Sequence, residues 1–372
     1  MTGFEPPVYP YDRLAGAREK ADAHPGGVVD LSIGTPCDPP PAFVVETLSA
    51  SGAERGYPPS IGSADLRDAA GAWLARRLGV VGEPALAACV GTKEFVATLP
   101  QWLNLRQPGR DTVLYPALAY PTYEMGAVLA GLRAVPVPVD KTWRLDLGRV
   151  KDEDAARALV LWVNSPGNPA GQVDDLGAAA AWGRERGVLV ASDECYVEYT
   201  WSGSPRSVLQ HGFEGVLAVH SLSKRSNVAG LRVGFYAGDA DLVRYLSEVR
   251  KHAGFMVPGP AQAAAVAALG DQAHVDEQRE RYRRRLERFR QVLAALGVDA
   301  PMPEGGFYLW APAPDGDAWA FTDRLAADAG VLVSPGEFYG PAGAGHVRIA
   351  LVQPDDRIEL VAQRLGLTLP RQ

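Results

Sequence analysis

The sequence predicts an α/β protein with a large domain built on a mostly parallel sheet and a smaller α+β domain, and three observations support this. Strand and helix signals alternate between residues 86 and 237, as they do where helices cover both faces of a parallel sheet. Ala158–Val163 is almost continuously apolar, which is typical of a strand buried on both faces. The 372 residues exceed what one hydrophobic core usually contains, so two domains are expected.

Capping and turn residues delimit the first elements. The region up to about Ala42 is rich in Pro and Gly, which indicates an arm with turns. A helix is expected from Ser63 to Leu78, because Ser63 can cap its start and Gly79 can close its end. The strands expected after it are 86–90, 113–115, 134–139, 158–163, 188–192, 216–220 and 233–237, and the helices between them are about 91–103, 121–130 and 174–186.

The pattern changes beyond Pro258. A long charged helix is expected over Val275–Leu296, and strands at 307–310 and 346–352 lie among helices at 318–329 and 355–365. This mixture predicts a second domain with a boundary near Gly254–Pro260. The expected division is 1–45 for an arm and part of the small domain, 46–257 for the large domain and 258–372 for the small C-terminal domain.

Composition excludes several classes of protein. The net charge of -7 is the opposite of the basic surface that binds nucleic acid. No apolar stretch is long enough to span a bilayer, and the N-terminus lacks the pattern of a secretory signal, so a cytoplasmic location is expected. Cys37, Cys89 and Cys195 form no disulfide framework, and the six histidines show no metal-ligand spacing, so no metal site is expected.

Unusual polar residues fall at the ends of predicted strands, where open α/β sheets bind ligands. Lys224 follows the strand 216–220 and could form a Schiff base with an aldehyde cofactor. Arg232, eight residues later, offers a forked permanent charge for a phosphate. A solvated basic loop is the alternative for this segment.

Asp193 and Asn168 follow two other strands of the series. A carboxylate at Asp193 could pair with a protonated pyridine nitrogen, and Tyr196 could donate to the phenolic oxygen of such a ring. Asn168 also suits a phenolate oxygen, because it is the only side chain of its loop with both a donor and an acceptor. The alternatives are a cap at Asp193 and a plain Asn-Pro turn, and Cys195 is interpreted as a packing residue.

Further candidates have a hydroxyl, aromatic or cationic side chain in a suggestive place. Gly91-Thr92-Lys93 lies between a strand and a helix and could cradle a phosphate, with Ser221 as a second hydroxyl. Tyr120 could stack on a ring or simply pack in the core. Arg348 interrupts an apolar strand and needs an anion, such as a substrate carboxylate, if it is buried. An exposed arginine on an edge strand is the alternative.

In order and spacing, these pieces resemble the class I/II aminotransferases of fold type I, the aspartate-aminotransferase-like enzymes that depend on pyridoxal 5'-phosphate. The resemblance extends over nearly the whole chain. The matching pieces are Tyr57 with Gly62 and Leu66-Arg67, Gly91-Thr92-Lys93, Tyr120–Tyr123, Asn168–Gly171, Asp193–Tyr196, Ser221–Lys224, Arg232–Gly234 and Arg348. Each piece is weak alone, and their common order is specific.

The resemblance implies roles for these residues. Lys224 binds the cofactor covalently and then shuttles a proton, with Asp193 at the pyridine nitrogen and Tyr196 at the ring oxygen. The large domain would hold the cofactor through Tyr57, Gly91, Thr92, Lys93, Tyr120, Asn168, Asp193, Tyr196, Ser221, Ser223, Lys224 and Arg232. The implied ligands of the substrate are Arg348, Gly34 and Asn168. Tyr57 would reach the phosphate of a partner subunit, so a homodimer is implied.

The segments Ser221–Asn227 and Gly91–Glu94 are most similar to N-succinyldiaminopimelate aminotransferases of lysine biosynthesis. This implies glutamate as amino donor and N-succinyl-2-amino-6-oxopimelate as acceptor. The additional carboxylates of that acceptor require further basic groups, for which Arg225 and Lys93 are candidates. The alternatives are another class I/II aminotransferase, a carbon–sulfur lyase that uses the same cofactor, and a cofactor-binding regulatory module without catalysis.

Overall fold

The computed structural model describes residues 3–368, which form two compact units. The sheet unit comprises Asp38–Arg281 and Glu304–Gly306. The terminal unit comprises the described residues up to Cys37, Tyr282–Pro303 and the described residues from Phe307 onward.

Helices and strands are numbered along the chain. The helices are α1 (Ala15–Asp22), α2 (Ala42–Ala50), α3 (Ala64–Leu78), α4 (Thr92–Arg106), α5 (Thr122–Leu129), α6 (Asp152–Arg157), α7 (Leu176–Arg186), α8 (Leu222–Arg225), α9 (Ala240–His252), α10 (Gly259–Gly270), α11 (Ala273–Ala295), α12 (Ala318–Ala329) and α13 (Asp355–Arg364). The strands are β1 (Val29–Asp30), β2 (Ala85–Cys89), β3 (Thr112–Pro116), β4 (Arg133–Val137), β5 (Ala158–Asn164), β6 (Leu189–Asp193), β7 (Val216–Ser221), β8 (Gly234–Gly238), β9 (Tyr308–Pro312), β10 (Val331–Leu332), β11 (Ser334–Pro335) and β12 (His346–Ala350).

The sheet unit is built on seven strands in the order β2-β8-β7-β6-β5-β3-β4. Only β8 runs antiparallel to its neighbours β2 and β7, so the predicted mostly parallel sheet is confirmed. Every residue of β5 is buried, as its apolar run predicts. Apolar clusters lie on both faces of the sheet, because helices cover both.

Register places the carboxyl ends of the central strands at one edge of the sheet. Asn164 at the end of β5 is paired with Asp193 at the end of β6. Asp193 is paired in turn with Val219 of β7, and Ser221 at the end of β7 with Gly234 of β8. The loops that carry the candidate ligands therefore begin side by side.

Local capping explains the limits of α3. The Ser63 hydroxyl accepts a hydrogen bond from the Leu66 N–H at 3.2 Å, and Gly79 closes the helix with φ of 61°. Only glycine adopts this left-handed conformation at little cost. The helix expected from these two residues is confirmed.

The terminal unit combines small sheets with helices, which confirms the expected α+β character. Strands β11, β12 and β9 form an antiparallel sheet with β12 in the centre. Strand β1 pairs in parallel with β10, and α1 packs against α12.

Two features differ from the sequence-based expectation. The region before Ala42 contains α1 and β1 rather than turns alone, and β1 is defined by its pairing with β10 near the other end of the chain, which no local pattern reveals. The boundary between the two compact units lies between Arg281 and Tyr282, inside α11, rather than near Gly254–Pro260. Helix α10 belongs to the sheet unit because it packs against α2 and α3.

No helix within residues 3–368 is long and apolar enough to cross a membrane.

Close approach of α7 to the sheet yields a stability prediction. A Cβ at Gly183 would lie 2.6 Å from the Val188 carbonyl oxygen, whereas one at Gly71 of α3 would meet only Leu86, at 3.9 Å. We expect Gly183→Ala to lower the free energy of unfolding by roughly 1–3 kcal/mol, because the backbone must shift. The matched Gly71→Ala should raise it by up to about 1 kcal/mol, because alanine favours a helix. Urea unfolding followed by circular dichroism measures both, and equal effects would contradict the prediction.

Candidate active site

Lys224 is carried on the four-residue helix α8, directly after β7. The Ser221 hydroxyl accepts a hydrogen bond from the Ser223 N–H at 3.1 Å and caps this helix. The Tyr199 hydroxyl donates to the Lys224 carbonyl oxygen at 2.8 Å. The backbone of Lys224 is therefore held by the cap of its own helix and by Tyr199 of another segment, while its side chain is half-buried.

Arg225 is a buried structural residue. Its Nε donates to Glu198 Oε1 at 3.2 Å and its Nη1 to the Ala268 carbonyl oxygen at 2.6 Å. Glu198 also accepts from Trp73 Nε1 at 2.9 Å and Arg77 Nε at 2.6 Å. Burial alone would raise the pKa of Glu198, but the two arginines hold it below its ordinary value, so the pair is ionic. The hypothesis that Arg225 binds a substrate carboxylate is wrong, because internal partners occupy its guanidinium group.

Asp193 presents a buried carboxylate at the end of β6. The Tyr123 hydroxyl donates to its Oδ2 at 2.9 Å, and the Cys195 N–H donates to its Oδ1 at 3.2 Å. Burial raises the pKa of Asp193, and the hydrogen bonds from Cys195 and Tyr123 counteract part of that rise. A buried carboxylate is stabilised most by a cation with an N–H donor, which a protonated ring nitrogen supplies.

Gly91, Thr92 and Arg232 converge at the start of α4. A Cβ at Gly91 would overlap the Arg232 guanidinium group, so a side chain at this position would block the approach. The Thr92 hydroxyl lies 3.4 Å from Cys195 Sγ, which places it beside the Asp193 loop. Cys195 therefore lies at the edge of the candidate site, although the sequence suggested packing alone. A helix start, a hydroxyl and a guanidinium group are the kinds of donor that bind an anion, so this is the candidate phosphate site.

An ion pair between the buried Arg250 and the half-buried Glu94 fixes the first turn of α4. Arg250 pairs with Glu94, and its guanidinium carbon lies 4.8 Å from the centre of the Phe255 ring. Glu94 also accepts from the Val90 N–H at 2.8 Å. Because Glu94 is two residues beyond Thr92, this pair holds the turn that carries Thr92.

The loop 164–174 is organised by hydrogen bonds of the Asn164 and Ser165 side chains. Asn164 Nδ2 donates to the Asp193 carbonyl oxygen at 2.9 Å, and its Oδ1 accepts from the Asn168 N–H at 2.8 Å. The Asp174 N–H donates to Ser165 Oγ at 3.0 Å, and burial raises the pKa of Asp174 to about 6. The loop that carries Asn168 is thereby tied to the end of β6.

The other candidates of the sheet unit differ in burial. Tyr196 is buried after β6, and Tyr120 is half-buried, edge-on to Tyr123 with 6.1 Å between ring centres. Lys93 is exposed on the first turn of α4. Tyr57 is 98% exposed, so it is not brought together with the other candidates among the described residues of this chain.

Arg348 lies in the terminal unit, buried on the central strand β12. Its guanidinium carbon is 4.3 Å from the Tyr308 ring centre and 4.8 Å from that of Tyr339. Its Nη2 donates to the Tyr11 hydroxyl at 3.3 Å and to the Ser32 carbonyl oxygen. These facts exclude the alternative of an exposed arginine on an edge strand.

Gly34 belongs to the same unit as Arg348. A Cβ at Gly34 would overlap the Tyr308 hydroxyl, so the chain can pass this ring only as glycine. No cluster of three or more His, Cys, Asp or Glu side chains suited to a metal ion occurs within residues 3–368.

Sequence reasoning missed three residues that support the site. Asn164 ends an apolar strand, and the rule that identified Asp193 would have identified it too. Tyr123 lies three residues after Tyr120, in the first turn of α5. Glu198 gives no local signal, because Trp73 and Arg225 lie far from it in sequence.

The fold and these groups define a class of protein, namely a fold-type I enzyme that depends on pyridoxal 5'-phosphate. More narrowly, the chain belongs to the aminotransferase class I and II family, whose family profile matches residues 26–365. The donor set fits the cofactor: Lys224 offers an amine for its aldehyde, Asp193 an acid for its ring nitrogen, and Arg232 beside Gly91 a cation for its phosphate.

Three relatives illustrate the range of the family. The 4-dedimethylamino-4-oxo-anhydrotetracycline transaminase OxyQ of Streptomyces rimosus is 46% identical, over 97% of this chain and 99% of its own length. An LL-diaminopimelate aminotransferase of Desulforudis audaxviator is 35% identical, over 98% and 96%. The structure of a "probable N-succinyldiaminopimelate aminotransferase" of Thermus thermophilus superposes with a TM-score of 0.85, at 30% identity, over 96% of this chain and 99% of that one.

The raised pKa of Asp174 predicts a pH-dependent stability. A carboxyl group whose pKa is higher in the folded state, here about 6, binds more protons when folded. Its stabilising contribution is present below the unfolded-state pKa and is lost as the pH rises through the folded-state value. Between about pH 4.5 and about pH 7.5 the free energy of unfolding should therefore fall by roughly 2 kcal/mol more in the parent protein than in Asp174→Asn. Urea unfolding at both pH values measures this, and parallel pH profiles of the two proteins would refute it.

Proposed function

We propose that this aminotransferase takes its amino group from glutamate and delivers it to N-succinyl-2-amino-6-oxopimelate. The similarity of the Ser221–Asn227 and Gly91–Glu94 segments to N-succinyldiaminopimelate aminotransferases carries this proposal. The Thermus and Desulforudis relatives support it, because both names refer to diaminopimelate compounds. A second acceptor is favoured by the 46% identity to the Streptomyces transaminase, namely 4-dedimethylamino-4-oxo-anhydrotetracycline.

The proposed chemistry assigns the proton transfer to Lys224. When bound, pyridoxal phosphate supplies an aldehyde that carries the amino group and a ring that withdraws electrons. The Lys224 amine would hold the cofactor covalently through its aldehyde and, once released by the substrate amine, would serve as the base that carries the substrate Cα proton. Its place on α8, with the backbone fixed by Tyr199 and Ser221, supports this assignment.

The remaining roles are proposed for side chains that orient the cofactor and substrate. Asp193 keeps the ring nitrogen protonated, helped by the Tyr123 hydroxyl that fixes its carboxylate. Tyr196 and Asn168 would hold the ring oxygen of the cofactor, and Tyr120 would contact its ring. The phosphate is bound by Gly91, Thr92, Lys93, Ser221, Ser223 and Arg232. In the terminal unit, Arg348 binds the substrate α-carboxylate, together with Gly34.

We further propose that the protein acts as a homodimer in which Tyr57 reaches the cofactor site of the partner subunit. The exposure of 98% of the Tyr57 surface supports this only in leaving the side chain accessible to another subunit, and the proposed role itself comes from the resemblance to the family. The molecular mass in solution tests this proposal.

Replacement of the proposed catalytic lysine gives the sharpest test of the chemistry. Lys224→Ala should lose covalent retention of the cofactor and at least roughly 100-fold in turnover, because the proton carrier is gone. Borohydride reduction followed by mass spectrometry measures the retention, and a coupled glutamate assay measures turnover. Lys141→Ala, at an exposed lysine in a turn, is the matched control and should behave as the parent protein. Full activity of Lys224→Ala would refute the proposed role.

The identity of the acceptor is tested with a substrate panel. N-Succinyl-LL-diaminopimelate and LL-diaminopimelate are each supplied with 2-oxoglutarate, and the oxo-anhydrotetracycline is supplied with glutamate. We expect kcat/KM to be at least about tenfold higher for the succinylated compound than for the other two. A preference for either of the others would replace the proposed acceptor. Release of pyruvate from cystathionine, without formation of glutamate, would indicate a carbon–sulfur lyase instead.

A further inference from the structure

The N-terminal segment of the terminal unit touches the arginine proposed to bind the substrate. Residues Pro10–Leu14 form a short 3-10 helix. The Tyr11 hydroxyl accepts a hydrogen bond from Arg348 Nη2 at 3.3 Å and lies 3.0 Å from the Tyr339 hydroxyl. A hydroxyl can accept and donate at once, so Tyr11 links the guanidinium group to Tyr339.

Tyr11 and Arg13 hold this segment in place by separate contacts. The Tyr11 ring meets Phe338 edge-on, with 5.6 Å between ring centres. The Arg13 guanidinium carbon lies 4.9 Å from the centre of the Trp319 ring, and its Nη2 is 2.6 Å from Glu337 Oε1. Glu337 is itself fixed by the Trp319 Nε1–H, which donates to it at 2.9 Å. These contacts of Tyr11 and Arg13 with Phe338, Trp319 and Glu337, here called the clamp, set the position of the Tyr11 hydroxyl without involving Arg348.

The contacts of Arg348 restrain it in two independent ways. The Tyr308 and Tyr339 rings, at 4.3 and 4.8 Å, restrict tilting of the guanidinium plane. Rotation of the group within its plane is restricted at the edge, where Nη2 donates to Tyr11 and to the Ser32 carbonyl oxygen. Two-pronged binding of a carboxylate requires that the guanidinium plane be oriented correctly and that the group be rotated to the correct angle within that plane.

We propose that Tyr11 is a positioning residue for substrate binding: its hydroxyl sets the in-plane angle of Arg348, and the clamped N-terminal segment thereby contributes to affinity for the substrate carboxylate. This rests on the proposed role of Arg348. Ser32 contributes a main-chain oxygen, whereas Tyr11 contributes a side-chain hydroxyl that a substitution can remove.

Tyr11→Phe tests the proposal because it keeps the ring and removes the hydroxyl. KM for glutamate and for 2-oxoglutarate should rise roughly tenfold, as expected for loss of one hydrogen bond to a charged group. The turnover number should change less than about twofold, since the chemistry in the sheet unit is untouched. The dissociation constant of succinate, an unreactive dicarboxylate, should rise by the same factor in isothermal titration calorimetry. Lys20→Ala, which removes a half-exposed ion pair with Asp323 in the same unit, is the control and should change none of these values.

Arg13→Ala provides a second, independent variant. It loosens the clamp without touching Arg348, so KM and the succinate dissociation constant should rise in the same direction but less. Arg13→Lys keeps the charge beside Glu337 and should recover part of the loss.

The outcomes separate this inference from the proposed function. If the parent protein transaminates glutamate and Tyr11→Phe leaves both KM and the succinate constant unchanged, the inference is refuted and the function stands. A loss of thermal stability with unchanged succinate binding would also refute it, because the hydroxyl would then be structural only. If the parent protein uses no glutamate but succinate binding weakens about tenfold in Tyr11→Phe, the proposed donor is wrong and the positioning role stands.

Discussion

The aligned carboxyl ends of β5, β6 and β7 are the constraint on which the candidate site depends. Main-chain hydrogen bonds pair Asn164 with Asp193 and Asp193 with Val219, so the loops after these strands start at fixed separations. A slip of one residue would turn every side chain of a strand to the opposite face, where it would meet a different layer of helices. Specific packing on both faces of these buried strands therefore favours one register, and the register places the Asp193 carboxylate. Asn164 then transmits this placement to Asn168 through two hydrogen bonds.

Buried charges serve two distinct purposes in the sheet unit. Glu198 with Arg225 and Glu94 with Arg250 are internal pairs, which adjoin α8 and the first turn of α4. Such pairs contribute little net stability, but removal of one partner leaves a buried charge, so they enforce one local geometry. Arg232 is different: it is exposed, it donates to the Ala229 carbonyl oxygen, and within residues 3–368 no ion pair involves it. No described acidic side chain therefore neutralises the charge of Arg232, and an arginine that binds a phosphate needs such a charge.

Much of this arrangement could be predicted from local sequence, and the remainder depends on distant partners. Ser63 and Gly79 mark the ends of α3 because capping acts over a few residues. Asp193 and Lys224 are recognisable because a polar residue after an apolar strand is conspicuous. The direction of β8, the pairing of β1 with β10 and the Glu198 cluster are not encoded in any short segment. Arg225 shows the resulting error: beside Lys224 it suggests a ligand, and only its buried partners reveal a structural role.

The way Arg348 is held suggests why tyrosines surround it. A carboxylate in place of the Tyr11 hydroxyl would fix the guanidinium group more strongly, but it would also neutralise the charge and compete with an incoming anion. Ring faces at Tyr308 and Tyr339 stabilise a cation through their quadrupoles, and hydroxyl and carbonyl oxygens contribute dipoles. None of these carries a full negative charge. Contacts of these kinds orient a guanidinium group without themselves neutralising its charge, whereas an ion pair would neutralise it.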